Sequence, residues 1–116
     1  RDEAEVDKYV GDPLCGFSVS IGLWLDLLAG MNDLADMRKI GSLRKDMPFH
    51  LLGGDADPCS TKGKAVPQFG GRLLKAGLKD VTRIVLPDTR HESLNEINRD
   101  ETTMSFIKWL DERFAK

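Results

Sequence analysis

Two short polar segments in the C-terminal half carry the residue types that general acid–base chemistry requires. Asp55 and Asp57 lie in a Gly-Asp-Ala-Asp-Pro segment that begins at Gly54, and His91 lies in a later Arg-His-Glu segment. Each segment directly follows an apolar run. A carboxylate that holds one imidazole nitrogen leaves the other nitrogen free to take a proton from a serine hydroxyl. The two segments therefore indicate the acid and the base of a nucleophilic hydrolase, provided that the fold brings them together.

The residues alone leave structural alternatives open. Asp57 precedes a proline in a glycine-rich loop, which is ordinary turn chemistry, and Asp55 competes with it as the acid. No G-x-S-x-G segment precedes the pair, and the nearest pattern is G-x-S-x-S at residues 16–20. A nucleophile on such an elbow must follow a β-strand, whereas residues 11–15 contain Gly-Asp-Pro. We therefore interpret Ser18 as a helix N-cap rather than as the nucleophile.

The sequence does not show a metal-ligand pattern. Cys15 and Cys59 are far apart, neither belongs to a C-x-x-C pair, and neither has a histidine at ligand spacing. The Asp-x-Asp at Asp55 and Asp57 lacks the glycine and the later glutamate of a calcium loop. Cys59 also follows the acid loop rather than an elbow. The prediction is therefore no metal site, no cofactor, and two buried free thiols in a reducing cytoplasm.

The charge balance excludes several classes of partner. The 116 residues include 17 basic and 19 acidic side chains without a basic stripe, which argues against nucleic acid or an anionic membrane surface. No apolar run approaches the roughly 20 residues of a membrane span. The chain begins with Arg1 rather than methionine, so we expect it to be part of a longer protein.

The apolar pattern predicts a strand–helix–strand unit in the C-terminal half. The strands are expected at residues 48–53 and 81–86, the helix between them at 63–76, and a final helix is expected to begin at the N-cap Asp100. Strands joined by a crossover helix must be parallel. A sheet of two such strands leaves edges and faces uncovered, so we expect further strands, from the missing half or a second copy, to complete it.

The N-terminal part is predicted to be helical. Residues 1–9 can form a first helix, and a strongly apolar helix over residues 18–29 is expected to end at Gly30. Its apolar residues spread nearly all round the helix, which indicates burial on more than one side. Asn32 is expected to cap a further helix that stops at Gly41.

Residues 47–110 resemble the C-terminal part of the monoacylglycerol lipase and lysophospholipase-like α/β-hydrolases, in the serine aminopeptidase S33 superfamily. The most specific similarity is the charged run that contains His91. The matching segments are Gly54-x-x-Asp57-Pro58, Gly77-Leu78-Lys79-Asp80-Val81, Arg90-His91-Glu92-x-x-Asn95-Glu96-x-x-Arg99-Asp100-Glu101 and Trp109-Leu110.

This resemblance implies an α/β fold, namely the C-terminal portion of an α/β-hydrolase preceded by a helical cap segment. Residues 1–46 would be the cap-like segment and residues 47–116 the core portion. Asp57 would be the acid and His91 the base of a Ser-His-Asp triad, with the serine in the N-terminal half of the hydrolase, upstream of Arg1.

The resemblance also implies a substrate class. A cytoplasmic serine ester hydrolase of this kind acts on a lipid-like or small carboxylic ester, such as a monoacylglycerol or lysophospholipid, and needs no cofactor. Trp24, Leu27 and Leu28 would then line an acyl-chain tunnel and bind the substrate. The alternative is a truncated, non-catalytic hydrolase-like module that binds or assembles.

Overall fold

Helices and strands alternate in the C-terminal half, after three helices in the N-terminal part. The computed structural model describes residues 1–115. Its elements, in chain order, are α1 (Glu3–Gly11), α2 (Ile21–Ala35), α3 (Met37–Gly41), β1 (Phe49–Gly54), α4 (Ala65–Lys75), β2 (Val81–Leu86) and α5 (Arg99–Phe114).

The two strands form a parallel pair, as the sequence pattern predicted. The register runs from Phe49 opposite Val81 to Gly54 opposite Leu86, and α4 is the crossover between the strands. Because the strands are parallel and end opposite each other, the loops that follow them leave from the same edge of the sheet. This edge is where the polar segments of the sequence are placed.

One face of the sheet is covered by α4 and α3. Leu73 of α4 is fully buried, and Ile40 of α3 and Leu78 of the following loop pack beside it. The strands contribute the residues that alternate toward this face, including Phe49 and Leu51. Thus α3, which lies within the predicted cap-like segment, packs against the same core as the strands.

The other face is covered by side chains of α5. The Trp109 indole N–H donates a hydrogen bond of 2.7 Å to the Thr82 hydroxyl of β2. The His50 ring of β1 packs 4.9 Å from the Trp109 ring, centroid to centroid. Burial, together with the nearby Arg113 cation, lowers the pKa of His50. Arg113 lies over the Trp109 ring and binds Asp80 at 2.6 Å, which fixes α5 against the sheet.

The apolar helix α2 does not have the burial that its composition predicted. No residue of α2 is buried. Its packing partner among the described elements is the short helix α3, so its apolar side chains meet solvent instead of a second layer. The exposed large apolar residues on this helix are Ile21, Leu23, Trp24, Leu25, Leu27, Leu28, Met31 and Leu34.

Several predicted helix ends were wrong. Helix α2 continues through Gly30, since an isolated glycine weakens a helix without necessarily ending it, and Asn32 is interior. The N-cap of α2 is Ser20 rather than Ser18, and its hydroxyl accepts from the Leu23 N–H at 3.2 Å. The carboxylate of Asp36 caps α3 in the way expected of Asn32.

The last two helices also begin elsewhere than predicted. Helix α4 starts at Ala65, because Gly63 still belongs to the preceding turns, with a φ of 76°. Helix α5 starts after Asn98, so Asp100 lies in its first turn, where a negative charge complements the helix dipole. No helix among residues 1–115 is long and apolar enough to cross a membrane.

Replacement of Leu73 by alanine tests the core on the α4 face. Because Leu73 is fully buried, we expect Leu73→Ala to lower the free energy of unfolding by about 2–5 kcal/mol. The neighbouring Leu74 is 41% exposed, and Leu74→Ala should change that free energy by only about 0.5 kcal/mol. Urea unfolding followed by circular dichroism measures both. Equal effects of the two substitutions would contradict this description of the core.

Candidate active site

The loops after β1 and β2 meet through their backbones. The Asp55 N–H donates to the Leu86 carbonyl oxygen and the Ala56 N–H to the Thr89 carbonyl oxygen, both at 3.0 Å. A side chain at Gly54 would overlap the Thr89 carbonyl group. The last residue of β1 must therefore be glycine for the second loop to cross it at this distance.

Asp57 is held in this loop as a buried carboxylate. Its oxygens accept the backbone N–H groups of Cys59 at 2.9 Å and Ser60 at 3.0 Å. Burial by itself would raise the pKa of Asp57. The hydrogen bonds from Ser60, the Cys59 N–H and His91 together outweigh burial and lower the pKa to about 2. Asp57 is consequently a fixed negative charge at neutral pH.

The His91 ring lies against this carboxylate. Its Nδ1 atom is 3.3 Å from each oxygen of Asp57, just beyond the usual 2.6–3.2 Å for a tight catalytic hydrogen bond. Because an ionised carboxylate can only accept, the proton of a neutral His91 ring is placed on Nδ1. The side chain of His91 is 66% exposed and that of Asp57 only 5%. A ring held on one nitrogen, with its other nitrogen free to accept a proton, is what a general base requires.

The competing acid does not make this contact. Asp55 is exposed, and within residues 1–115 the carboxylate that reaches His91 is that of Asp57. The structure therefore places His91 against Asp57 and not against Asp55, and the catalytic roles of the pair stay a prediction.

A second buried acid braces the His91 loop. The Glu96 carboxylate accepts the Arg90 N–H at 2.8 Å and the Ile97 N–H at 3.3 Å. It also pairs with the side chain of Arg1 at 3.0 Å. Burial opposes this charge, but the contacts from Arg90, Arg1 and Ile97 lower the pKa of Glu96 overall. Sequence reasoning gave Glu96 no role, because only the folded loop shows that its side chain turns inward.

The N-terminal residues complete the wall beside His91. Besides the Arg1 pair, Asp2 binds Arg99 at 2.7 Å, so α1 lies next to the His91 loop. Between them is a cavity of about 430 Å³. It is lined by Glu5, Val6 and Tyr9 of α1 and by loop residues that include His91, Glu92 and Asn95. This volume is within the range of small-molecule sites.

The predicted substrate-binding residues are elsewhere. Trp24, Leu27 and Leu28 are exposed on α2, and the residues that line the cavity beside His91 come from α1 and the loops instead. The structure therefore does not bring the α2 residues to this cavity. Their contact with an acyl chain stays a prediction.

The two other nucleophile candidates differ in position. Ser18 is exposed in the segment before α2 and does not follow a strand, so it lacks the elbow geometry. Cys59 is a free thiol, and the prediction that it is buried was wrong, because it is exposed in the loop after Asp57, while Cys15 is only partly buried. One ligand atom each of Asp57, Cys59 and His91 lies within 4.8 Å of the other two. Spacing in the sequence disfavoured a metal site, because the fold alone brings these three residues together.

Comparison with known proteins agrees with this fold. A family model described as serine aminopeptidase, S33, matches residues 1–98. A solved structure described as a highly thermostable carboxyl esterase from Bacillus coagulans, in complex with glycerol, superposes with a TM-score of 0.86 at 24% sequence identity. The alignment covers 96% of this chain and 36% of the esterase, so the chain spans about a third of that protein. No curated protein matched the sequence.

The low pKa of Asp57 predicts how acid affects the site. Its pKa is 3.8 unfolded and about 2 folded, so its stabilising effect is complete above pH 3.8 and is lost as the pH falls through about 2. Asp57→Asn should remove this contribution, and the stability difference between wild type and variant should shrink over that interval. Urea unfolding at several pH values measures it. A difference that is constant from pH 5 to about 2 would contradict the assignment.

Glu96 is expected to hold the His91 loop in place. Glu96→Ala should leave the Arg90 N–H, whose hydrogen bond is partly buried, without its acceptor and cost about 1 kcal/mol of unfolding free energy. Hydrogen exchange should become faster at the Arg90 and Ile97 amides. Glu92→Ala is the matched control, since Glu92 is an exposed acid of the same loop. Similar exchange in both variants would show that Glu96 does not brace the loop.

Proposed function

Because the chain belongs to the serine aminopeptidase S33 family, we propose that it contributes the acid and base of a Ser-His-Asp triad in an ester hydrolase. The observation that carries this proposal is the contact of His91 Nδ1 with the buried carboxylate of Asp57. In open α/β sheets, working residues lie just beyond the carboxyl ends of the strands, and both residues occupy that position. The partial α/β-hydrolase fold supports the same conclusion.

His91 is the general base and then the general acid in the proposed mechanism. Its free Nε2 atom takes the proton of the attacking serine hydroxyl during acylation and gives it to the leaving alcohol. In deacylation the same nitrogen takes a proton from water and returns it to the serine. Asp57 keeps the Nδ1–H tautomer in place and stabilises the imidazolium formed in each step. Side chains and backbone amides supply this chemistry, so no cofactor takes part.

We propose that the serine and the oxyanion donors come from the N-terminal half of the hydrolase, either in the same protein or in a second chain. Ser18 lacks the strand–elbow geometry that exposes a nucleophile. The exposed apolar side chains of α2 and the open edges of the two-stranded sheet are surfaces that such a half would cover. The chain by itself would then be inactive.

The proposed substrate is a lipid-like carboxylic ester, with monoacylglycerol or lysophospholipid as the class that the family resemblance implies. Two apolar surfaces support this choice: the cavity beside His91, which includes Val6 and Tyr9, and the helix α2. Trp24, Leu27 and Leu28 would contact the acyl chain once the missing half closes over that helix.

A non-catalytic assembly module is the second candidate. The exposed apolar face of α2 favours it, because a surface of this kind in a protein often marks a site of association. The two candidate functions make different predictions: when the N-terminal half is added, the hydrolase should gain ester-hydrolysing activity and the assembly module should not.

Activity toward p-nitrophenyl esters distinguishes them. The isolated chain should be no faster than a scrambled control. Co-produced with an α/β-hydrolase N-terminal half that carries a G-x-S-x-G serine, it should gain activity. In that complex Asp57→Asn should lower kcat by about 10⁴-fold, because the imidazole loses its orienting charge. His91→Ala should remove most of the activity.

Asp55→Asn is the matched control for Asp57→Asn, since Asp55 is an exposed acid in the same loop, and it should leave kcat nearly unchanged. If the isolated chain hydrolyses the ester and Ser18→Ala abolishes this activity, the proposal that the nucleophile comes from the N-terminal half is wrong. A complex that assembles around the chain but stays inactive would favour the assembly module.

A further inference from the structure

We propose that Asp57, Cys59 and His91 form a binding site for a zinc-like divalent cation. One ligand atom of each residue, a carboxylate oxygen, a thiol sulfur and an imidazole nitrogen, lies within 4.8 Å of the other two. The residues come from two different loops that the parallel strands place side by side. Three ligands of these types are therefore already close together, with Asp57 buried and the other two exposed.

The ligand types select the metal. A thiolate and an imidazole are the ligands that zinc prefers, whereas magnesium and calcium prefer shells of oxygen atoms. Three protein ligands with a solvent-facing fourth position match the coordination of an open zinc site. Asp57 supplies the carboxylate oxygen of this ligand set.

The geometry needs only a small closure. Zinc–ligand bonds of about 2.0–2.3 Å in a tetrahedron place the ligand atoms about 3.3–3.8 Å apart. A separation at the 4.8 Å limit therefore has to shorten by about 1.0–1.5 Å. Cys59 and His91 are both exposed and can adjust by side-chain rotation. The backbone N–H groups of Cys59 and Ser60 hold the carboxylate, in the manner of hydrogen bonds that orient metal ligands.

The same loop turn places the thiol beside the acid. Asp57 accepts the N–H of Cys59 two residues later, so the backbone of Cys59 is fixed relative to the carboxylate. The thiol therefore shares the environment of the acid–base pair without taking part in the proposed ester chemistry. Metal binding would therefore give Cys59 a role, whereas the proposed proton transfer by His91 does not involve Cys59.

Metal binding has a consequence that rests on the proposed function. A neutral imidazole has one nitrogen lone pair, and once a cation holds it the other nitrogen carries the proton. The ring then cannot act as a base. Zinc at this site would therefore inhibit the completed hydrolase by occupying its acid–base pair, reversibly and without modifying a residue.

Titration of the 116-residue chain with Zn²⁺ and Co²⁺ tests the binding step without any ester substrate. Isothermal titration calorimetry with Zn²⁺ should show one site per chain. Co²⁺ should produce a thiolate-to-cobalt charge-transfer band. Cys59→Ser should abolish the band and weaken Zn²⁺ binding by at least about tenfold, and His91→Ala should weaken it similarly. Cys15→Ser is the matched control and should leave both signals unchanged.

The outcomes separate this inference from the proposed function. A band lost in Cys59→Ser but unchanged in His91→Ala would overturn the three-residue site, as would Zn²⁺ affinity equal in wild type and Cys59→Ser. Circular dichroism of each variant shows whether it is folded, and both substituted side chains are exposed.

Zn²⁺ binding by a chain that never yields an active complex would support the metal site and contradict the hydrolase. An active complex that Zn²⁺ inhibits in wild type but not in Cys59→Ser would support both.

Discussion

The candidate site depends on one close approach of two backbones, where the loop after β2 crosses the last residue of β1. The Thr89 carbonyl group lies where a side chain at Gly54 would be, and the Ala56 N–H binds that carbonyl from the other loop. The parallel register brings the two strand ends together, and the glycine lets their loops touch. Without this approach, the loops that carry Asp57 and His91 would not be in contact.

Asp57 is buried and His91 is exposed because of the way in which each loop forms hydrogen bonds to its backbone N–H groups. The loop after β1 turns around Asp57, so that the carboxylate takes up N–H groups that would otherwise be unpaired. The loop after β2 turns around Glu96 in the same way. In each loop, the buried carboxylate binds backbone N–H groups, and a nearby side chain, Cys59 or His91, is exposed to solvent. The exposed His91 is thus held by Asp57 through its ring, and the residue before it, Arg90, is held by Glu96 through its backbone N–H.

The sequence predicted the parts of the fold that depend on local pattern. Both strands, their parallel pairing and the position of Asp57 and His91 followed from apolar runs and from polar residues at the strand ends. The ends of α2 and α5 did not follow, because Ser18, Ser20, Asn98 and Asp100 are all plausible caps and tertiary geometry selects between them. The exposure of α2 could not be predicted from its own residues, since burial depends on what lies opposite. Neither the inward turn of Glu96 nor the approach of Cys59 to His91 has a signal in sequence spacing.

The first two residues link the amino end of the chain to the segment that follows His91 by non-covalent contacts. Arg1 reaches Glu96 across 95 positions and Asp2 reaches Arg99 across 97. The entropy cost of closing a flexible loop rises only slowly with its length. Two partly buried ion pairs therefore hold the amino end of the chain against the residues at the start of α5. Any polypeptide joined to the amino end would therefore emerge at the rim of the His91 cavity, so that a fusion partner or affinity tag at that end would stand at the entrance through which a ligand arrives.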